Sequence, residues 1–328
     1  DNELAFLLAH DSDPFNRWEA GQRLATRRLL ALAASGVSAD FTYPATAQDK
    51  LIADALRKLL RDSTLDPAFR DLVLTLPSEA TLSEEVDLID PHAIHRARRA
   101  LRRYLARQLK DDLLAIYRKH QVGGTYRADP EQSGRRALRN TALAYLAELH
   151  EDLPQQLIRE QLDTAGNMTD RISALAAMVH HVVPGADAAL QAFYEDFDDE
   201  ALVIDKWFSL QATAPMMTVA GVRKLMQHSA FTLKNPNRAR SLLFAFCNSN
   251  PAQFHAADGS GHAFWAEQVI ALDAINPQVA ARLARALDRW RKYTPVLQAS
   301  MKAALDKVSA STSLSNDVAE VIGKALSN

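Results

Sequence analysis

Ile94, Ala97, Leu101, Leu105, Leu109, Leu113 and Ile116 follow one another in steps of three and four, a spacing that draws one apolar stripe along a helix. Asp90-Pro91 precedes the stripe, so a helix is predicted over about 91–119. Six other prolines also follow Asp or Asn: Asp13-Pro14, Asp66-Pro67, Asp129-Pro130, Asn235-Pro236, Asn250-Pro251 and Asn276-Pro277. Each pair reads as a helix start, because the side-chain oxygen caps free backbone N–H groups and proline at the first helical position sacrifices no hydrogen bond. Caps and stripes together predict further helices near 14–34, 46–61, 67–75, 130–150, 155–165, 169–182, 186–198, 200–213, 218–228, 236–247, 262–274, 277–292, 295–308 and 315–326. Strand-like alternation is hard to find. From about residue 130 the helices succeed one another as short antiparallel-looking pairs, which predicts an all-α, irregular HEAT- or armadillo-like α-solenoid, a superhelical array of helix pairs. No strict sequence period accompanies the cadence. The segments 36–43 and Gly123-Gly124 are the clearest breaks. Neither is a Pro-, Gly- or Ser-rich linker, so a single helical domain over 1–328 is expected.

Composition agrees with helix. Only 11 glycines occur in 328 residues and aromatic residues make up 7%, which leaves little of the usual strand and turn vocabulary. With 48% hydrophobic and 24% charged residues, the chain has the balance of a soluble globular protein. The net charge of −2, from 38 basic and 40 acidic side chains, argues against global attraction to nucleic acid or anionic lipid. Cys247 is the single cysteine, so no internal disulfide asks for an oxidising compartment. No apolar run approaches the ~18 residues of a membrane span. A cytoplasmic protein that binds neither nucleic acid nor membrane is expected. The chain opens at Asp1 without a methionine and enters a helical pattern at once, as a piece of a longer polypeptide would.

Chemistry-bearing motifs are sparse. His150-Glu151-Asp152-Leu153-Pro154 approaches the His-Glu-x-x-His pattern of zinc peptidases, but proline stands where the second ligand is required and would break the helix that holds both. The adjacent His180-His181 would splay about 100° apart on a helix, a poor chelating geometry. Asp258-Gly259-Ser260-Gly261-His262 has small residues at a helix start, as a phosphate loop does. It lacks the lysine and preceding strand of a nucleotide fold, so a capped turn is the expectation. Cys247 lies in an apolar run and is expected to be a buried thiol. Trp18, Trp207, Trp265 and Trp290 are expected to pack in the core. Arg96, Arg98, Arg99, Arg102, Arg103, Arg107 and Lys110 make a basic helix face with no acid between Pro91 and Lys110. Such a face could meet phosphates, be solvated, or pair with the acidic stretch 195–200. Arg238, Arg240 and Arg282 sit in otherwise apolar helices, where a guanidinium wants a carboxylate from the protein or from a ligand.

Asp11-Ser12-Asp13-Pro14-Phe15-Asn16-Arg17-Trp18-Glu19-Ala20 resembles the opening of the C-terminal helical domain of the bacterial aminopeptidase N family of gluzincin zinc aminopeptidases. Similar segments recur in order: Leu74-Thr75-Leu76-Pro77-Ser78, Ile89-Asp90-Pro91, Asn167-Met168-Thr169-Asp170, Asp205-Lys206-Trp207-Phe208, Asn235 to Leu242, Asn248-Ser249-Asn250-Pro251, Asp258 to Gly261 and Asn276 to Ala280. The resemblance covers essentially the whole chain. It implies a non-catalytic domain that caps the active-site cavity, limits access to it and helps bind the distal end of peptides. It further implies a monomeric, cytoplasmic enzyme whose zinc, zinc motif and amine-gripping Gly-x-Met-x-Asn sequence lie in a catalytic domain outside this chain. The catalytic domain of the same polypeptide and short peptides are thereby the implied partners. No catalytic or metal-binding residue carries over, and this chain alone holds no cofactor. By motif position the family's cavity-wall arginines fall on Arg240 and Arg282, with Arg238 beside them. The competing reading is a stand-alone helical-repeat adaptor that binds protein or nucleic acid through the basic face.

Overall fold

The structure, a computed structural model, describes residues 1–327. In chain order the longer helices are Asn2–His10, Pro14–Ser35, Ala47–Arg61, Pro67–Leu74, Pro91–Gln108, Lys110–Lys119, Pro130–Leu146, Asp152–Thr164, Met168–His180, Ala186–Phe197, Ala201–Ala212, Val219–Met226, Ser260–Asp273, Pro277–Ala284, Pro295–Ser309 and Asn316–Ser327. No strand occurs among the described residues; one isolated bridge joins Ile89 to Tyr293. The all-α array expected from caps and stripes is what the chain forms.

Local chemistry explains the helix starts. Asp13, Asp66, Asp129, Asn235 and Asn276 each accept a hydrogen bond from a backbone N–H of the following turn, with proline in its first positions. Asn250 departs from this pattern. Its Nδ2 donates to the carbonyls of Ala212 at 3.0 Å and Ala214 at 2.9 Å, so the amide satisfies the end of one helix instead of the start of the next. Asn250→Ala would strand two buried carbonyls and is expected to cost about 1–3 kcal/mol. Urea unfolding checks this, and an unmoved midpoint would mean the two carbonyls are solvated.

Three expectations change in detail. The predicted helix 91–119 breaks at Leu109, which leaves helical geometry at φ −108° and ψ 13°. Backbone bonds nonetheless run through it, from Leu109 N to Leu105 O and from Leu113 N to Leu109 O. The predicted helix 277–292 ends at Ala284 and continues as 3₁₀ turns, Arg285–Leu287 and Trp290–Lys292. There, Trp290 Nε1 and Arg291 Nη1 both donate to the Ala325 carbonyl, a tertiary demand that overrides local periodicity. Asn2–His10 and the short helix Glu79–Glu84 are additional to those predicted from the sequence.

The chain forms two compact units. The first comprises Asp1–Glu85 and Ala93–Ala186. In it, Asn2–His10 packs on Pro14–Ser35 and Ala47–Arg61, while Pro67–Leu74 and Lys110–Lys119 pack on Pro130–Leu146. Leu24, Leu29, Leu59, Leu101, Leu105 and Leu143 are buried there. The second unit comprises Val86–His92 and the chain from Asp187 onward. It is built around Ser260–Asp273, which packs on Pro277–Ala284 and Pro295–Ser309. Trp265, Phe246, Phe254 and Phe264 are fully enclosed in this unit. Both sequence breaks, 36–43 and Gly123-Gly124, fall inside the first unit.

Candidate functional site

The three arginines singled out in the sequence have different surroundings. Arg238 is buried, and its Nε donates to Asp205 Oδ1 at 2.8 Å while Nη1 donates to the Ala230 carbonyl at 2.7 Å. The guanidinium also stands over Phe208, 5.1 Å from the ring centre. Protein groups therefore occupy its fork, and its expected place on a ligand-binding wall is corrected to that of an internal brace. Arg240, two residues later, is exposed and donates from Nη1 to Asn237 Oδ1 at 3.2 Å. It opens a π-helical turn, Arg240–Phe244, between the helical segments Pro236–Ala239 and Ala245–Ser249. Single π turns are rare and recur at functional positions, because the extra residue re-aims side chains.

Arg282 lies on Pro277–Ala284 and is exposed. It lines an open cleft of about 660 Å³ with Gln278, Arg285, Asp288, Asp317 and Glu320 among its walls. Arg285 is 3.8 Å from Asp288, and Lys324 is paired with Glu320. No carboxylate stands within the 4 Å of an ion pair from Arg282 among the described residues. Its guanidinium has donors to offer a carboxylate. Arg238 and Arg240 do not line this cleft.

Other motifs resolve as architecture. Asp258 Oδ1 accepts from Ser260 N at 2.9 Å, Gly259 takes φ 72°, and His262 turns inward to Ser300 Oγ at 2.7 Å and His255 Nδ1 at 2.9 Å. This is a capped turn with buried histidines. Burial pulls the His262 pKa down to about 4, and burial with His262 and His92 adjacent holds that of His255 well below its ordinary value. Both rings are neutral near pH 7. Cys247 is buried, and burial pushes its thiol pKa up. Trp207, Trp265 and Trp290 are buried, whereas Trp18 is 36% exposed. In the first unit, the Asp170 carboxylate accepts from Asn167 Nδ2 and Asn140 Nδ2, while Asp170 N donates back to Asn167 Oδ1, all at 2.9 Å. Many residues that carry the family resemblance thus brace helices.

The basic face is half-buried except at the exposed Arg107. Arg98 donates from Nε to the Pro77 carbonyl at 2.8 Å, and burial with the neighbouring Arg102 charge lowers its pKa. Arg99 and Arg102 approach opposite oxygens of the buried Glu148, each at 3.6 Å. Arg99 and Arg103 stand over Phe41 at 4.5 and 5.4 Å, and Arg102 over Tyr145 at 4.9 Å. Arg103 also donates to the Asp40 carbonyl at 2.9 Å and lies 3.4 Å from His150 Nε2. The His150 ring meets His181 edge-on at 5.7 Å. Two histidine motifs that are 30 residues apart in sequence therefore share one cluster, which no local pattern announces. Burial, then the Arg102 and Arg99 charges, depress the His181 pKa to about 2. The acid within ion-pair distance of Arg99 and Arg102 is Glu148.

Among the described residues no three His, Cys, Asp or Glu side chains group as metal ligands. No described helix is long and apolar enough to cross a membrane.

Residues 1–327 match a family described as "Domain of unknown function (DUF3458_C) ARM repeats". The chain is 43% identical to aminopeptidase N of Escherichia coli strain K12 over 328 residues, covering 99% of this chain and 37% of that protein. It is 40% identical to aminopeptidase N of Caulobacter vibrioides over 322 residues, covering 98% of this chain and 36% of that protein. The crystal structure of Legionella pneumophila aminopeptidase A in complex with aspartic acid superposes with a TM-score of 0.87 at 28% identity, covering 99% of this chain and 38% of that one. The chain thus spans little more than a third of the length of these relatives.

Proposed function

This chain belongs to the DUF3458_C family of ARM-repeat domains and corresponds to the C-terminal domain of aminopeptidase N, and from that premise we propose that it is the non-catalytic cap of a zinc aminopeptidase. In this reading the zinc and the groups that cleave the N-terminal peptide bond belong to the catalytic domain of the same polypeptide. The helical chain restricts access to the cavity and holds the distal end of short peptides. The whole enzyme is a cytoplasmic monomer.

The observation that carries the reading is the state of Arg240 and Arg282. Both are exposed on helical elements, and neither has a carboxylate partner within 4 Å among the described residues. A peptide held by its amine at a distant metal presents a free carboxylate several residues away, and a guanidinium fork is matched to that group in charge and shape. Arg238 contributes by pinning the turn that carries Arg240 to Asp205. The half-buried basic helix leaves the adaptor reading without the free surface it needs.

In the full-length enzyme, Arg240→Ala and Arg282→Ala are each expected to raise KM for peptides of three to five residues roughly tenfold or more. That follows from losing a charge-assisted hydrogen bond of about 1.5–3 kcal/mol. A single-residue alanyl anilide should be cleaved as before, and amidating the peptide's C-terminus should mimic the substitutions. Equal impairment of anilide and peptide would assign both arginines a structural role and defeat the carboxylate-clamp reading.

A further inference from the structure

Arg99, Arg102 and Arg103 sit at i, i+3 and i+4 on Pro91–Gln108, a spacing that brings their guanidiniums to one helix face. Arg98 borders them. Of these four guanidiniums, Arg99 and Arg102 come within 4 Å of a carboxylate, that of Glu148, and both contacts are long at 3.6 Å. The side chains of Arg99 and Arg102 are 17% and 24% exposed, so water screens these like charges only in part. Hydrogen-bonding capacity is left over. Arg102 Nε, Arg103 Nε and Glu148 Oε2 are buried without a partner, as is His181 Nδ1. Arg99 and Arg102 are held by ring faces and by the Glu148 charge, and those contacts leave their donor forks unfilled.

The backbone around the cluster is equally unusual. Phe41, His150 and Val182, with φ of 60°, 53° and 53°, are the non-glycine residues at positive φ among those described. Phe41 lies under Arg99 and Arg103, His150 touches Arg103, and Val182 follows His181. Left-handed backbone strains a residue with a side chain and persists only where the surroundings impose it. Here it recurs on three loops that frame one group of cations.

We propose that Arg99, Arg102 and Arg103, with His150 at the rim, form an oxyanion site that takes a phosphate dianion, either inorganic phosphate or the terminal group of a phosphomonoester. The two unfilled forks of Arg99 and Arg102, with the Arg103 charge held beside them by Asp40 and His150, suit a tetrahedral group whose oxygens point apart, and the excess of positive charge over Glu148 favours a dianion. Neutral His150 and His181 add ring nitrogens without adding repulsion. Phe41 and Tyr145 fix the guanidinium planes from behind, so little side-chain freedom is lost on binding.

Isothermal titration of the chain with inorganic phosphate, against sodium chloride of matched ionic strength, tests the site. Sub-millimolar, one-to-one binding is expected, weakened at least tenfold in Arg99→Gln and Arg102→Gln and unchanged in Arg107→Gln, an exposed position on the same helix. Arg99→Lys keeps the charge but loses the fork, and it should also bind more weakly while folding as the parent does. A phosphomonoester binding tighter than phosphate would assign the site to the terminal group of a larger ligand, and equal affinities would assign it to free phosphate. Phosphate binding no tighter than chloride, binding that survives the Arg99→Gln, Arg102→Gln double substitution, or a dicarboxylate preferred tenfold over phosphate would each overturn the proposal.

Discussion

Gly261→Ala is expected to destabilise the chain by about 3 kcal/mol or more, because the new methyl group would enter a backbone. A Cβ built at Gly261 falls 1.9 Å from the Phe254 carbonyl oxygen and 2.8 Å from its carbon. No rotamer relieves that overlap. Phe254 is fully buried and closes the short helix Pro251–Phe254, so its carbonyl cannot retreat without moving His255 and His262 beside it. Gly261 is also the second residue of Ser260–Asp273, the helix around which the second unit is packed. Gly123→Ala is the matching control: a Cβ there meets nothing within 4 Å, and the exchange should stay within about 1 kcal/mol of the parent. Urea unfolding of both variants checks the pair. Equal midpoints would show that the turn before Ser260 does not press on Phe254.

Asp49→Asn is expected to cost about 3–5 kcal/mol, the usual consequence of leaving a buried charge without its partner. Asp49 is fully buried and receives Arg28 Nε on Oδ1 and Nη2 on Oδ2, both at 2.7 Å. The same carboxylate closes the start of Ala47–Arg61, accepting from Thr46 N at 2.7 Å and Thr46 Oγ1 at 3.0 Å, and it accepts from the Tyr43 hydroxyl at 3.0 Å. Asparagine can keep some of these bonds, but it cannot neutralise Arg28. The pH dependence follows in sign. Burial pushes the Asp49 pKa up, yet Arg28 and the Thr46 donors outweigh it and hold the carboxyl below its ordinary value. A folded pKa below the unfolded one gives stability that is fully present above the unfolded value near ~4 and is lost as pH falls through the folded one. The parent should lose stability on acidification more steeply than Asp49→Asn. Parallel acid limbs in a pH series of unfolding midpoints would show that the pair contributes nothing charge-dependent.

Helix starts were legible because their cause is local. A capping oxygen and its N–H groups lie within three residues of each other, so Asp13-Pro14 or Asn276-Pro277 carries its structure in its own sequence. Asn250 shows the limit, since the same dipeptide spends its amide on carbonyls 36 and 38 residues away. The arginines divide the same way. Spacing placed Arg99, Arg102 and Arg103 on one face, but nothing near them named Glu148, Phe41 or Tyr145 as what that face would meet. Arg238 and Arg240 stand two residues apart in one motif; one is filled by Asp205 and the other is free of carboxylates, a distinction set by residues outside the motif.

The sequence by itself determined that this chain is helical, where most of its helices begin and which family it resembles. Those properties rest on hydrogen bonds and apolar periodicities that span a few residues. Only the tertiary structure decided which charges are spent. It closed Arg238 on Asp205, Arg28 on Asp49 and Asp170 on Asn140, and it brought His150 and His181 against the arginines of a third segment. A side chain's charge is written in the sequence, but its free valence depends on which distant groups packing has brought within 3 Å, and the apolar pattern that drives packing is blind to those polar partners.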